Sequence, residues 1–357
     1  MLTRWAVLAA MALLTVVTPA AAEAPDGPRL AFLLETALPD ALVVGTSDSA
    51  LGMQANVAGG AFQDGPFPSA RSGPAWSPDG ATIAFGGFDS ADTVATRFNR
   101  QLYTVAADGT GLRAVPHTRG GFNPVFSPNG RRIAFAKTVS FITNPDDALP
   151  ALWDGTTVWS VRVDGTGLRQ LTEWKNGVAD VPSSFSPDGS VLALTHRDVF
   201  RDRADATALR LDGRGSYVLA RSASWPRYSP DGRQIAFLGI RRIGETSCCE
   251  LGDGFSIDLY AMNADRSRRH RLTRTAAKAE RPPSWDPSGQ RLVYTTRGEP
   301  STRASGDLEA GVMQINADGT CLSRVSVPVR RLGGIYAFFY FPTWQPGPGR
   351  EAGRIAC

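Results

Sequence analysis

The chain has 357 residues, of which 42% are hydrophobic and 20% charged, with a net charge of +4. That is an ordinary globular composition with ample material for a core, and it excludes a disordered or low-complexity chain. The mild basicity is carried almost wholly by arginine, with Lys137, Lys175 and Lys278 the only lysines. It reads as a coding bias more than as an arginine-dependent partner, and no nucleic-acid recognition motif accompanies it.

Residues 1–22 have the form of a secretory signal peptide. Arg4 gives a short positive region, Trp5 to Val17 an apolar stretch too short to span a bilayer comfortably, and Pro19 to Ala22 a small-residue cleavage pattern. Cleavage is expected after Ala22 or Ala24, with an uncleaved anchor as the alternative. No second hydrophobic span follows. The mature chain, residues 23–357, is expected to be one exported domain, periplasmic or extracellular, monomeric, with no transmembrane span after cleavage.

Downstream, one short signal recurs six times: an aromatic residue, a turn containing proline and glycine, then an apolar strand. The copies are Trp76-Ser-Pro-Asp-Gly80, Phe126-Ser-Pro-Asn-Gly130, Phe185-Ser-Pro-Asp-Gly189, Tyr228-Ser-Pro-Asp-Gly232, Trp285-Asp-Pro-Ser-Gly289 and the decayed Trp344-Gln-Pro-Gly347. Proline presets φ at the second turn position, and glycine accepts the positive φ that reverses the chain. The strands that follow include 81–85, 132–135, 191–194, 234–237 and 291–294. A third strand then runs into an Asp-Gly type turn, as in 102–110, 158–166, 259–265 and 312–320, and a short fourth strand such as 168–172 closes the unit. Each unit is predicted to be a four-stranded antiparallel meander. Successive anchor aromatics lie 50, 59, 43, 57 and 59 residues apart. A four-stranded unit needs roughly 40–50 residues, so the excess belongs to inserts.

A single meander cannot bury both faces, and packing six of them radially solves that. The sixth unit is split: 341–344 supplies an innermost strand, while 25–32, 41–44 and 54–57 complete it from the other end of the chain. Residues 353–357 mimic the second strand of that unit as well as 29–32 do, and the sequence leaves the choice between them open.

These turns, with the Ile-Ala-Phe type strand after them, resemble the TolB-type β-propeller and its WD40-like Pro-Asp repeats over nearly all of the mature chain. The expected fold is therefore all-β: a six-bladed propeller of four-stranded antiparallel blades, closed by N- and C-terminal strands that share one blade. The repeat signal starts almost at the cleavage site, without the α/β domain that precedes the propeller in TolB. The resemblance implies a ligand- or protein-binding propeller.

The two families of tight turns fall on one face. The inserts 86–100, 138–157, 197–206, 240–257 and 297–310 fall on the other, where binding is expected. Residues just before each innermost strand should rim the channel mouth there: Arg71, Ser72, Asn123, Asp180, Ser224, Glu280, Arg281 and Tyr340. The aromatic run Tyr336 to Phe341 reads as core first and as an anchor strip second. Residues 266–271 form the densest basic run, on a predicted outermost strand where charge discourages edge pairing. The expected ligand is a protein, peptide or glycan of the cell envelope or exterior.

The even count of cysteines in an exported chain favours disulfides. Cys321 with Cys357 is the preferred pair, and the adjacent Cys248 and Cys249 bridge each other or pair outward. No cofactor is expected. Asn144, Asp146, Asp147 and Asp154 could offer oxygen ligands to Ca²⁺ but lack EF-hand spacing, and read as a solvated acidic loop. The alternative to a non-catalytic binder is an extracellular hydrolase or lyase acting on a lactone or carbohydrate with a metal at the channel mouth. The three histidines, His117, His196 and His270, show no ligand spacing, and no Gly-x-Ser-x-Gly elbow is present.

Overall fold

The computed structural model describes residues 29–35, 41–46, 55–56, 73–87, 100–139, 155–242, 255–274, 282–296, 311–325, 338–346 and 354–357. Among the described residues there is no helix, and so none able to cross a membrane.

The recurrent turn builds the second strand of each unit. The Ser77 hydroxyl donates to Asp79 Oδ1 at 2.5 Å and accepts the Thr82 amide at 2.9 Å, while Asp79 Oδ1 also accepts the Ala81 amide. Gly80 takes φ +68°. Ser127 with Asn129, Ser186 with Asp188 and Ser229 with Asp231 repeat the arrangement. In the fifth copy serine and aspartate exchange places, and Asp286 collects the Arg291 amide at 2.7 Å and the Ser288 hydroxyl at 2.5 Å. The same backbone groups are satisfied by swapped side chains. The second turn is held by Asp108, Asp164, Asp265 and Asp318, each accepting the amide and hydroxyl of the Thr or Ser two residues on.

Twenty-four strands are described, in units of four. The chain opens with β1 (Arg29–Glu35), β2 (Ala41–Thr46) and β3 (Ala55–Asn56). A first full meander follows in β4 (Ala75–Trp76), β5 (Thr82–Gly87), β6 (Gln101–Ala106) and β7 (Arg113–Ala114). The second comprises β8 (Gly121–Phe126), β9 (Arg132–Val139), β10 (Gly155–Arg162) and β11 (Arg169–Gln170), and the third β12 (Val178–Phe185), β13 (Val191–Asp198), β14 (Arg203–Arg210) and β15 (Ser216–Ala220). One parallel bridge, Thr156 to Ala179, joins these two into an eight-stranded sheet. The fourth holds β16 (Ala223–Tyr228), β17 (Gln234–Arg242), β18 (Phe255–Asn263) and β19 (His270–Arg271). The fifth holds β20 (Ser284–Trp285), β21 (Arg291–Thr296), β22 (Gly311–Asn316) and β23 (Ser323–Val325). Last comes β24 (Phe338–Trp344), which pairs antiparallel with β1, so one sheet runs β24-β1-β2-β3.

That pairing settles the choice between the two candidate second strands. Residues 29–35 take the place, and 354–357 form no strand. The C-terminal segment instead docks on the turn after β22. Asn316 Nδ2 donates to the Ile355 carbonyl at 3.0 Å and its Oδ1 accepts the Ile355 amide at 2.8 Å, Arg354 pairs with Asp318, and Cys357 is disulfide-bonded to Cys321. The expected Cys321–Cys357 pair is present. Cys248 and Cys249 lie outside the described residues.

The core lies between neighbouring sheets rather than inside any one of them. Ala84, Leu102 and Val115 of the first meander pack with Phe126, Ile133 and Phe135 of the second. Ala193, Ala208 and Leu219 of the third pack with Ile235 and Phe237 of the fourth, and Leu238 and Leu259 of the fourth with Trp285 and Tyr294 of the fifth. Phe85, Phe135, Phe237 and Tyr294 fill the same position of the second strands of the first, second, fourth and fifth meanders and are fully buried, with Leu194 in that place in the third. Each such burial is worth about 1.5–3 kcal/mol. First strands touch in sequence, β4 with β8, β8 with β12, β12 with β16, β16 with β20 and β20 with β24, and β24 touches β4.

Two expectations need correction. Residues 197–206 are not an insert: β13 runs to Asp198, β14 starts at Arg203, and a tight turn joins them. In the basic run, only His270 and Arg271 lie on the outermost strand. Arg266 and Arg268 are turn residues with positive φ. Arg266 reaches the Tyr217 ring of β15, and Arg269 lies over the Phe237 and Tyr260 rings, so the run braces two units.

Candidate functional site

Three of the first strands are bulged. A bulge follows Phe122 in β8, Pro182 in β12 and Ser224 in β16, each at a proline that has no amide to give a ladder. The bulge in β12 sets the register upstream of it, so that Asp180 stands directly across from His196 on β13. His196 in turn stands across from Asp205 on β14. Cross-strand partners share a face, so the imidazole lies between two carboxylates.

Asp180 is buried, and its Oδ1 lies 2.7 Å from His196 Nδ1. This hydrogen bond raises the His196 pKa above the ordinary imidazole value, against the opposing effect of burial, with the Asp180 and Asp205 charges adding to the rise. The His196 side chain is 40% exposed. For Asp205, burial opposes ionisation, but hydrogen bonds from Arg203 and from the Ser222 amide outweigh it and its pKa is lowered. Asp198 is held below the ordinary carboxylate range by the Arg201 guanidinium 2.5 Å away.

These three cation–carboxylate pairs surround a cavity of about 320 Å³ lined by His196, Asp198, Arg201, Arg203, Asp205 and Val218. It opens at the end of the third unit that bears the connection between second and third strands. Two exposed aromatics stand on the same end. Phe200, in the β13–β14 turn, is 63% exposed, and its ring covers Gly177 so closely that a Cβ there would sit 2.1 Å from it. Trp174, in the connection from β11 to β12, is 38% exposed. Among the described residues, no group of three or more His, Cys, Asp or Glu is placed to hold a metal ion.

The rim residues named from sequence fall into three sets. Asp180 does not line the cavity but holds His196, which does. Asn123 is 7% exposed, and its Oδ1 accepts the Gly73 amide at 3.1 Å, joining the first two meanders. Ser224 is buried at the β16 bulge. Tyr340 is on β24, where the backbone alone is described, and Arg71, Ser72, Glu280 and Arg281 lie outside the described residues, as do Asn144 to Asp147 and Asp154. Sequence reasoning missed His196, Asp205, Arg203 and Arg201. The signal was available in part, since the hairpin about Ser186–Gly189 must bring 178–185 against 191–198, but without the bulge the register places Val181 rather than Asp180 opposite His196.

No family model and no curated protein matches the sequence. Solved structures do. TolB from Acinetobacter baumannii is 19% identical, with 90% of this chain and 68% of that chain covered at a TM-score of 0.62. A chain of the nidogen/laminin complex is 13% identical, with 89% and 98% covered at a TM-score of 0.55. Likeness at such identities speaks to architecture and not to activity, and with the described sheets it leads to one conclusion: the chain has a β-propeller fold.

Proposed function

We propose that the chain is an exported, monomeric, six-bladed propeller, closed by its own two ends, that binds a protein, peptide or glycan on its loop-bearing face without catalysis. Four observations support the ring: five meanders plus the split unit, first strands that touch in sequence, the contact of β24 with β4, and β1 seated between β24 and β2. The signal-like segment 1–22 supports export, as does the likeness of the fold to TolB. The nidogen/laminin complex is an assembly of proteins on a similar fold, which favours a protein or peptide among the ligand classes.

The observation that carries the binding reading is a cavity lined by Arg201 and Arg203 at the end of the third unit that also bears the exposed Phe200 and Trp174. Aromatic and arginine side chains at the edge of a cleft are the usual anchors of protein recognition. The test is a peptide and glycan array probed with mature protein. The double substitution Phe200→Ala with Arg201→Ala should weaken the hits by roughly tenfold or more, the typical loss at an anchor. Arg131→Ala with Arg233→Ala, on the tight-turn face, should leave them unchanged. Hits lost only with the second pair would place the ligand on the opposite face and refute the reading.

A further inference from the structure

A second polar locus lies deeper, where the third and fourth units meet. Ser183 follows the proline at the β12 bulge and is fully buried. Arg227 follows Pro226 at the β16 bulge, and its Nη1 donates to the Ser183 carbonyl. Two donors there are sealed from solvent without an acceptor: Arg227 Nε and Ser183 Oγ. Nearby acceptors are already engaged. The Pro226 carbonyl accepts Ser184 Oγ at 3.2 Å, that hydroxyl accepts the Tyr228 amide at 3.0 Å, and the Arg227 carbonyl accepts Trp285 Nε1 at 3.0 Å.

Among the described residues no carboxylate pairs with Arg227. Burial alone pushes its pKa down to about 10, so the site disfavours the cation it holds. A half-buried guanidinium whose Nε is sealed from solvent and which has no carboxylate partner costs free energy that an anion would return. The geometry also selects the anion. With Nη1 spent on Ser183, the Nε and Nη2 edge remains, and that edge pairs side-on with a carboxylate through two parallel hydrogen bonds. The partnerless hydroxyl of Ser183, the residue whose carbonyl Nη1 holds, supplies a third donor at the same junction.

We propose that Arg227 and Ser183 form a carboxylate-binding site at this junction, distinct from the His196 cavity and independent of how that cavity is used. The carboxylate comes either from a small free acid or from an acidic side chain of a polypeptide; the chemistry of capture is the same.

The test uses the mature chain labelled with ¹⁵N-arginine, read at the Nε–Hε resonances. Formate is the first probe and N-acetylglutamate methylamide the second, each against chloride at equal ionic strength. One arginine resonance should shift saturably with a carboxylate and not with chloride. It should be assigned to Arg227 by its absence from Arg227→Lys. Ser183→Ala, which removes one donor and leaves the guanidinium in place, should weaken the response roughly tenfold. Response to both probes, or to the glutamate analogue alone, assigns a polypeptide side chain; response to formate alone assigns a small acid. No saturable shift, an equal shift with chloride, or a shift unchanged by Ser183→Ala and retained in folded Arg227→Lys overturns the proposal and leaves a structural junction.

Discussion

The Trp76 indole donates its Nε1 hydrogen to the Thr343 carbonyl at 3.2 Å, across 267 residues of chain. Trp285 makes the equivalent bond to the Arg227 carbonyl at 3.0 Å. At Trp76 and Trp285 the repeated aromatic therefore does two things: it fills the space between adjacent units, and it ties its own unit to the first strand of the one before. Trp76→Phe keeps most of the first role and removes the second. It should cost about 1 kcal/mol in urea unfolding, the net value of one such bond. Trp285→Phe should cost about as much, because the junction closed by the chain ends is held by the same chemistry as an interior one. Trp76→Ala should cost roughly 3–5 kcal/mol.

Two glycines separate backbone strain from contact between units. Gly80 and Gly111 have nearly the same φ, +68° and +67°. A Cβ on Gly111 would meet nothing within 4 Å, whereas one on Gly80 would lie 2.4 Å from the Pro346 carbonyl oxygen of the last unit. Gly111→Ala should cost about 1 kcal/mol from the left-handed backbone alone. Gly80→Ala should cost a further 1–3 kcal/mol or so, as an overpacked contact does. Equal melting temperatures for the two variants would show that the first and last units do not meet as described.

The Cys321–Cys357 disulfide spans 36 residues. Loop-closure entropy for that length gives roughly 3–4 kcal/mol of stabilisation. Cys357→Ser should lose most of this under oxidising conditions, and the wild-type chain should fall to the same stability when reduced. The Asn316 and Asp318 contacts to residues 354–355 should then loosen, which amide exchange at Ile355 would report.

His196 gives a signed pH effect. Its folded pKa is raised, chiefly by the Asp180 hydrogen bond. The stabilisation from the pair is thus fully present below the ordinary imidazole value of 6.5 and is lost as pH rises through the higher folded value. An NMR titration of the His196 ring should give a midpoint above 6.5, and Asp180→Asn should bring it down. A midpoint unmoved by that substitution would remove the dyad. Ligands that need the imidazolium should release on the alkaline side of the same window.

The turns made the fold legible, because Ser-Pro-Asp-Gly and Asp-Gly-Thr act within six residues and depend on no distant partner. The paired ends were legible because β24, β1, β2 and β3 each carry strand patterns that are incomplete alone. The site was less so. Asp180 could be placed near a rim, but its partner depends on one extra residue at the Pro182 bulge, which alternation of apolar and polar residues does not reveal. Residues 197–206 read as an insert because they lie beyond the apolar run 191–194; in the fold β13 and β14 extend to Asp198 and from Arg203, and the charges of Asp198, Arg203 and Asp205 lie around a cavity. Arg227 and Ser183 left no pattern at all, since their relation arises only where two separate units abut.

The measurement that bears most directly on the ring is amide hydrogen exchange of Leu30–Leu34 and Phe339–Trp344 in the mature chain. These residues hold the register Leu30 to Trp344 and Leu34 to Phe339 that joins the two ends. Closure requires that their paired amides exchange as slowly as those of β5 and β21, and that they speed up together with β4–β7 when Gly80 is changed to Ala. Exchange at the rate of unpaired amides in the wild-type chain, with β5 and β21 still protected, would mean that the ends do not meet and the ring is open.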